Sequence, residues 1–134
     1  MNVYSARSKE RLVTVESDLA LVFRTALPAW DHTVLCGHRS ELDQNDAYRE
    51  GRSKLKFPSS KHNSFPSHAI DVAPYPIDWN DTYRFYYFAG YVQRVAHELG
   101  VLIRYGGDWD GDTRAKGDQS FFDLVHFELL GLKK

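Results

Sequence analysis

The chain predicts an α+β fold, with a small, mostly antiparallel sheet packed by helices. Three observations lead there. Apolar residues recur at helical spacing near the N-terminus and again in the middle of the chain. Short runs rich in β-branched and apolar residues, one of them alternating with period two, lie between and after those regions. No strand–helix–strand rhythm repeats, so a doubly wound parallel sheet is not expected.

Taken in order, residues 7–29 carry Leu12, Val15, Leu19, Val22, Phe23 and Ala26, the pattern of one or two short helices, with Asp18 as N-cap of the second. Thr33-Val34-Leu35-Cys36 reads as a short buried strand ended by Gly37. Ser40 caps a polar helix over 41–50 that Gly51 stops. Residues 52–67 are rich in Ser, Lys, Pro and Asn and form a loop. In 68–73, His68, Ile70 and Val72 point to one side of a strand, and Ala69, Asp71 and Ala73 to the other. Asn80 or Asp81 begins the longest helix, which offers Phe85, Phe88, Ala89, Val92, Val95 and Ala96 for burial and ends at Gly100. Val101–Tyr105 is a strand, 106–119 an acidic, Gly-rich loop, and 122–129 the last strand.

With 134 residues, 43% hydrophobic and 26% charged, the chain reads as one globular domain over 1–134 that needs no staples. A net charge of −1 supplies no basic field, so nucleic acid is not an expected partner. Cys36 stands alone, which excludes an internal disulfide framework and a Cys-rich zinc site. The N-terminal segment has no apolar stretch of signal-peptide type, and no later run approaches a membrane span. Folding in a cytoplasm, as a monomer without membrane insertion, is the expectation.

Two separated segments carry the chemistry. Ser60-Lys61-His62 leads on to Ala69-Ile70-Asp71, and Asp123-Leu124-Val125-His126-Phe127-Glu128 follows near the C-terminus. Together they supply two histidines, a carboxylate and a spare acid, which suits a hydrolytic zinc site with three protein ligands and one open position. Asp71 is an acid among apolar neighbours, flanked on its own face by alanines that leave room above the sheet. A solvated edge-strand carboxylate is the plainer alternative. His62 is chosen over His68 as its partner, because His68 shares the face of Ile70 and Val72 while His62 is free to fold back from the loop. In the last strand Val125, Phe127 and Leu129 take the core face and His126 and Glu128 the other. Asp123 has core parity, so it belongs in a bend before regular pairing, within reach of a water held beside His126 as its proton acceptor. Glu128 is read as solvated in preference to orienting His126. Arg39, in Gly37-His38-Arg39-Ser40, stands where a strand gives way to a helix and suits a substrate carboxylate or an oxyanion, with a surface Arg as the alternative. His32, His38 and His97 are read as polar loop or surface residues.

Asp108, Asp110 and Asp112 alternate like the opening of a calcium loop, but Gln119 occupies the position of the closing Glu and the glycine is misplaced. An acid-rich turn is preferred there, with Ca²⁺ as a minor alternative.

These segments, with Gly106-Gly107-Asp108-Trp109 between them and Gly37-His38-Arg39-Ser40 and Gln44 upstream, resemble the zinc peptidases that cut peptidoglycan stem peptides. That family, of Hedgehog/DD-peptidase fold, includes D-Ala-D-Ala peptidases and phage L-alanyl-D-glutamate endolysins, and the resemblance spans residues 5–130. It implies Zn²⁺ held by His62, Asp71 and His126, Asp123 as catalytic base and Arg39 near the polarised carbonyl. The nine positions from His62 to Asp71 exceed the family's commonest spacing by two. Strict spacing would put Ser64 at the ligand position, so the stretch must bulge outward near Phe65-Pro66 for His62 to serve. An Asp before the last His matches the endolysin branch.

The function expected from this resemblance is a zinc L-alanyl-D-glutamate endopeptidase, a phage or prophage endolysin with no separate wall-binding domain. It would be made in the host cytoplasm and act on the stem peptide in the periplasm or wall after release. A D-alanyl-D-alanine carboxypeptidase is the enzymatic alternative, and a non-catalytic wall-binding virion protein on the same scaffold the non-enzymatic one.

Overall fold

The computed structural model describes residues 1–114 and 119–133. Along them run α1 (Ala6–Leu12), α2 (Ser17–Ala26), β1 (His32–Cys36), α3 (Glu41–Arg49), β2 (Ala69–Pro74), α4 (Thr82–Leu99), β3 (Val101–Tyr105) and β4 (His126–Leu132). The strands form one sheet in the order β1-β2-β4-β3, and every pairing is antiparallel. This is the expected α+β architecture.

Register explains which face of the sheet is apolar. Ile70 stands opposite Phe127, and Phe127 opposite Tyr105, so three large side chains line up across β2, β4 and β3. Helices α2 and α4 cover that row: the Phe127 ring meets Phe23 of α2 at 5.2 Å and Phe88 of α4 at 6.4 Å, both edge to face. Burying each such ring contributes roughly 1.5–3 kcal/mol. Residues one position away point to the opposite face, where Asp71 pairs with His126, and Ala69, Glu128 and Arg104 form the next row. The helices therefore leave a polar sheet face uncovered, and the chemistry gathers there.

Helix starts and stops follow local signals. The Ser40 hydroxyl accepts the Asp43 N–H at α3, the Asp81 carboxylate accepts the Arg84 N–H at α4, and Gly100 closes α4 in the left-handed region at φ 73°. At α2 the cap is Glu16, whose carboxylate accepts the N–H groups of Asp18 and Leu19, and not Asp18 itself.

Two further expectations need correction. His32 is no loop residue: it lies on β1, 3% exposed, its Nδ1–H donating to the Trp30 carbonyl and its Nε2 accepting from the Tyr4 hydroxyl at 2.5 Å. The last strand begins four residues later than predicted and extends to Leu132. Residues before it are engaged elsewhere, since Asp123 N–H donates to Gly106 and the Tyr105 hydroxyl to the Leu124 carbonyl. Among the described residues no helix is long and apolar enough to cross a membrane.

Candidate active site

Asp71 and His126 meet because antiparallel register makes them cross-strand neighbours. His62 reaches them from the loop before β2. That loop is tied on both sides: its Lys61 carbonyl accepts the His68 N–H, and the His62 carbonyl accepts the Arg39 N–H at 2.8 Å. Between the two segments the chain turns outward at Phe65, which is 71% exposed, while Ser64 caps its own turn through a hydrogen bond to the Pro66 carbonyl. His68 lies just before β2 and is exposed.

Three donor atoms converge. His62 Nε2 is 3.1 Å from Asp71 Oδ1 and 3.2 Å from His126 Nδ1, and His126 Nδ1 is 3.2 Å from Asp71 Oδ1. Ligands bound at about 2.0–2.1 Å around a tetrahedral ion stand roughly 3.3 Å apart, so these three fit one face of such a polyhedron. The group could hold a metal ion.

Each imidazole is oriented by its other nitrogen. His62 Nδ1–H donates to the Gly37 carbonyl at 2.7 Å, which leaves Nε2 for the site. The backbone at Gly37 comes so close to the first helical segment that a Cβ there would meet Thr14 Oγ1 at 2.3 Å and the Arg11 carbonyl at 2.5 Å. Glycine after β1 is thus a packing requirement, and the carbonyl that fixes His62 depends on it. His126 Nε2–H donates to Glu128 Oε1 at 2.9 Å, which leaves Nδ1 for the site. Glu128 is 6% exposed, and its other oxygen accepts from Arg104 at 2.6 Å and pairs with Lys61 at 3.3 Å. The solvated reading of Glu128 is overturned: its partner Arg104 lies on β3, 24 positions away, beyond any local signal. Ser60-Lys61-His62 now reads residue by residue, the serine hydroxyl accepting the His62 N–H, the lysine pairing with Glu128 and the histidine entering the site.

Charge balance follows from this packing. Burial alone would depress the His62 imidazole, but the charge and hydrogen bond of Asp71, helped by Cys36, raise it to about 10. Burial opposes protonation of His126 as well, and hydrogen bonds to Asp71 and Glu128 carry it to about 8. Burial would raise Asp71, yet His62 and His126 hold it well below the usual carboxylate range. Glu128, similarly opposed by burial, is brought down to about 2 by His126 and Arg104.

Asp123 sits in the bend before β4, as its parity requires, with its carbonyl accepting the His126 N–H at 3.1 Å. A Cβ at Gly106 would meet that same carbonyl at 2.2 Å, so Gly106 lets the bend close down on β3. Burial, then repulsion from Asp71, pushes the Asp123 carboxyl up to about 6. Arg39 donates to the side chain of Gln44 at 3.0 Å and to Asp71 Oδ2 at 3.4 Å. Gln44, fully buried, is itself held by Ser53 and the Leu55 carbonyl. All of these groups line or support one cavity of about 670 Å³.

A family model described as phage L-alanyl-D-glutamate peptidase matches residues 2–130. The chain belongs to that family. It is an enzyme, an L-alanyl-D-glutamate peptidase that acts on peptidoglycan. Among solved structures it is similar to the L-Ala D-Glu endopeptidase ChiX of Serratia marcescens, with 31% identity and a TM-score of 0.73 over 94% of this chain and 88% of that one. No curated protein matches it.

Two features of this peptidase lie beyond its sequence patterns. Trp109 of the Gly-Gly-Asp-Trp motif packs its ring 5.5 Å from that of His126 and stacks on Phe121 at 6.2 Å, walling the cavity beside the donors. In the acidic turn, Asp108, Asp110 and Asp112 place their oxygens together, but they also accept N–H groups of the turn: Thr113 to Asp108, Asp112 to Asp110 and Arg114 to Asp112. These are the bonds of an acid-rich turn. Asp108 Oδ1 is buried without a hydrogen-bond partner among the described residues.

Proposed function

We propose that this peptidase is a zinc hydrolase that cuts the bond between L-alanine and D-glutamate in stem peptides, and that it serves a phage or prophage as an endolysin. His62 Nε2, Asp71 Oδ1 and His126 Nδ1 hold the ion. The observation that carries the reading is the triangle of those donors, 3.1–3.2 Å on each side, beside a carboxylate that lines the same cavity. Spacing alone admits other first-row ions; a hydrolysis with no redox step favours Zn²⁺. When bound, zinc supplies a Lewis acid to the scissile carbonyl and makes water more acidic.

Asp123 is the proton carrier. As a carboxylate it takes a proton from the attacking water, and it returns that proton to the D-glutamate nitrogen as the C–N bond breaks. In the metal-free protein burial and Asp71 raise it to about 6, so it is ionised at neutral pH. Arg39, steadied by Gln44, orients the second oxygen of Asp71 and brings positive charge to the cavity where the carbonyl oxygen gathers negative charge. Digestion of purified muropeptides followed by mass spectrometry tests the assignment. The expected products are glycan ending in L-alanine and peptides beginning with D-glutamate. Free D-alanine instead would assign a D,D-carboxypeptidase.

Metal uptake should be coupled to protons. In the metal-free protein His62 is raised to about 10 and His126 to about 8, so both carry protons at pH 7 that an ion must displace. Affinity therefore rises with pH, steeply up to about 8, more gently towards 10, and then levels off. Calorimetry in buffers of different ionisation enthalpy should read about two protons released per ion at pH 7.

Glu128→Gln keeps the shape of the side chain but removes the charge that fixes His126. It should weaken zinc affinity roughly 10–100-fold in chelator competition, with the fold intact by circular dichroism.

A further inference from the structure

We propose that Trp79 is a stacking platform for the muramyl sugar that carries the stem peptide, an inference that rests on the cleavage specificity assigned above. Trp79 lines the same cavity as His62, Asp71 and His126, yet it is 61% exposed. Its ring lies on Phe85 at 5.6 Å and 20°, so one face is covered and the other is presented to solvent. The other aromatic rings of the cavity are differently placed. Trp109 and Phe121 stack on each other at 11°, and Trp109 also packs against His126 and under Arg104. Trp79 is thus the cavity-lining indole with an open face.

The platform is rigid as well as open. Its loop joins β2, which carries Asp71, to α4. Arg84 of α4 clamps that loop by donating to the carbonyls of Tyr75, at 2.7 Å, and of Pro76. Asp78 accepts the Asn80 N–H at 3.0 Å, and the Asp78 carbonyl accepts the Asp81 N–H at 3.2 Å. These bonds fix the loop that carries the ring, so little conformational freedom is lost when a flat ligand settles on it.

Substrate chemistry identifies the partner. In peptidoglycan the L-alanine nitrogen is acylated by the lactyl group of a muramyl sugar. The pyranose therefore lies one residue and one lactyl unit from the scissile bond, about 7 Å at 3.3–3.6 Å per unit. Trp79 lines the same cavity as the donors, and the cavity volume corresponds to a sphere roughly 11 Å across, so a linker of that length spans more than half of it. The axial C–H bonds of a pyranose are positively polarised, and the face of an indole is negative, which favours flat stacking.

The test compares two substrates cut at the same bond: a muramyl peptide, and the same peptide with an N-acetyl group in place of the muramyl unit. The wild-type protein should prefer the muramyl substrate by about tenfold in kcat/KM, the worth of about 1.4 kcal/mol. Trp79→Ala should bring the ratio close to one, and Trp79→Tyr should keep most of it. A ratio near one in the wild-type protein, or a preference unchanged in Trp79→Ala, would overturn the platform. Cleavage of neither substrate by the wild-type protein would instead overturn the underlying assignment, and the platform with it.

Discussion

Asp123→Ala is expected to lower muropeptide cleavage by about 10²–10⁴-fold while the protein still binds one zinc ion. The two readouts separate because Asp123 is not among the three converging donors. Its backbone holds the bend before β4 through bonds to Gly106 and His126, and those survive truncation of the side chain. What is lost is a buried carboxylate, raised to about 6, that can accept a proton in the cavity. Rates from timed digests analysed by mass, with zinc content from elemental analysis of the same samples, check both halves. If the parent protein binds sacculi without cutting them, the scaffold is a wall-binding module and the residue has no proton to move.

Asp71→Ala acts on the other half of the site. The carboxylate stands between His62 and His126, at 3.1 and 3.2 Å, and contributes one of three donors. Its loss should weaken zinc binding by roughly 10²–10⁴-fold, the share of one ligand in the about 10–16 kcal/mol that a complete zinc site can supply. Activity should vanish at zinc concentrations that saturate the parent. The fold should survive, because without Asp71 both imidazoles can stay neutral, as their burial already favours. Zinc titration by calorimetry alongside circular dichroism measures both.

Local periodicity makes the polar sheet face legible in the sequence. Alternation in 68–73 separates Asp71 from Ile70 and Val72, and alternation near the C-terminus separates His126 from Phe127; register then sets Asp71 against His126 and Ile70 against Phe127. Interactions that depend on distant chain segments are not legible in this way. Glu128 reads as a surface acid until β3 brings Arg104 opposite it. His32 reads as a loop residue until the segment before α1, together with α2 and α4, closes over β1 and places Tyr4, Phe23 and Phe88 around its ring. The start of β4 falls later than its alternation suggests because Asp123 and Leu124 answer to Gly106 and Tyr105, a turn and a strand earlier. The stretched spacing from His62 to Asp71 is accommodated by an outward turn, which no pattern in the Ser- and Pro-rich loop could specify.

One zinc ion, held by His62, Asp71 and His126, is needed for cleavage at L-alanyl-D-glutamate if the site works as proposed. Stepwise zinc titration of chelated, dialysed protein, with muropeptide cleavage assayed at each point, tests this most directly. The expected result is no cleavage without metal and a rise to full activity at one zinc ion per chain. Full cleavage by the metal-free protein, or restoration that needs no ion at this site, as shown by an unchanged titration in Asp71→Ala, would contradict it.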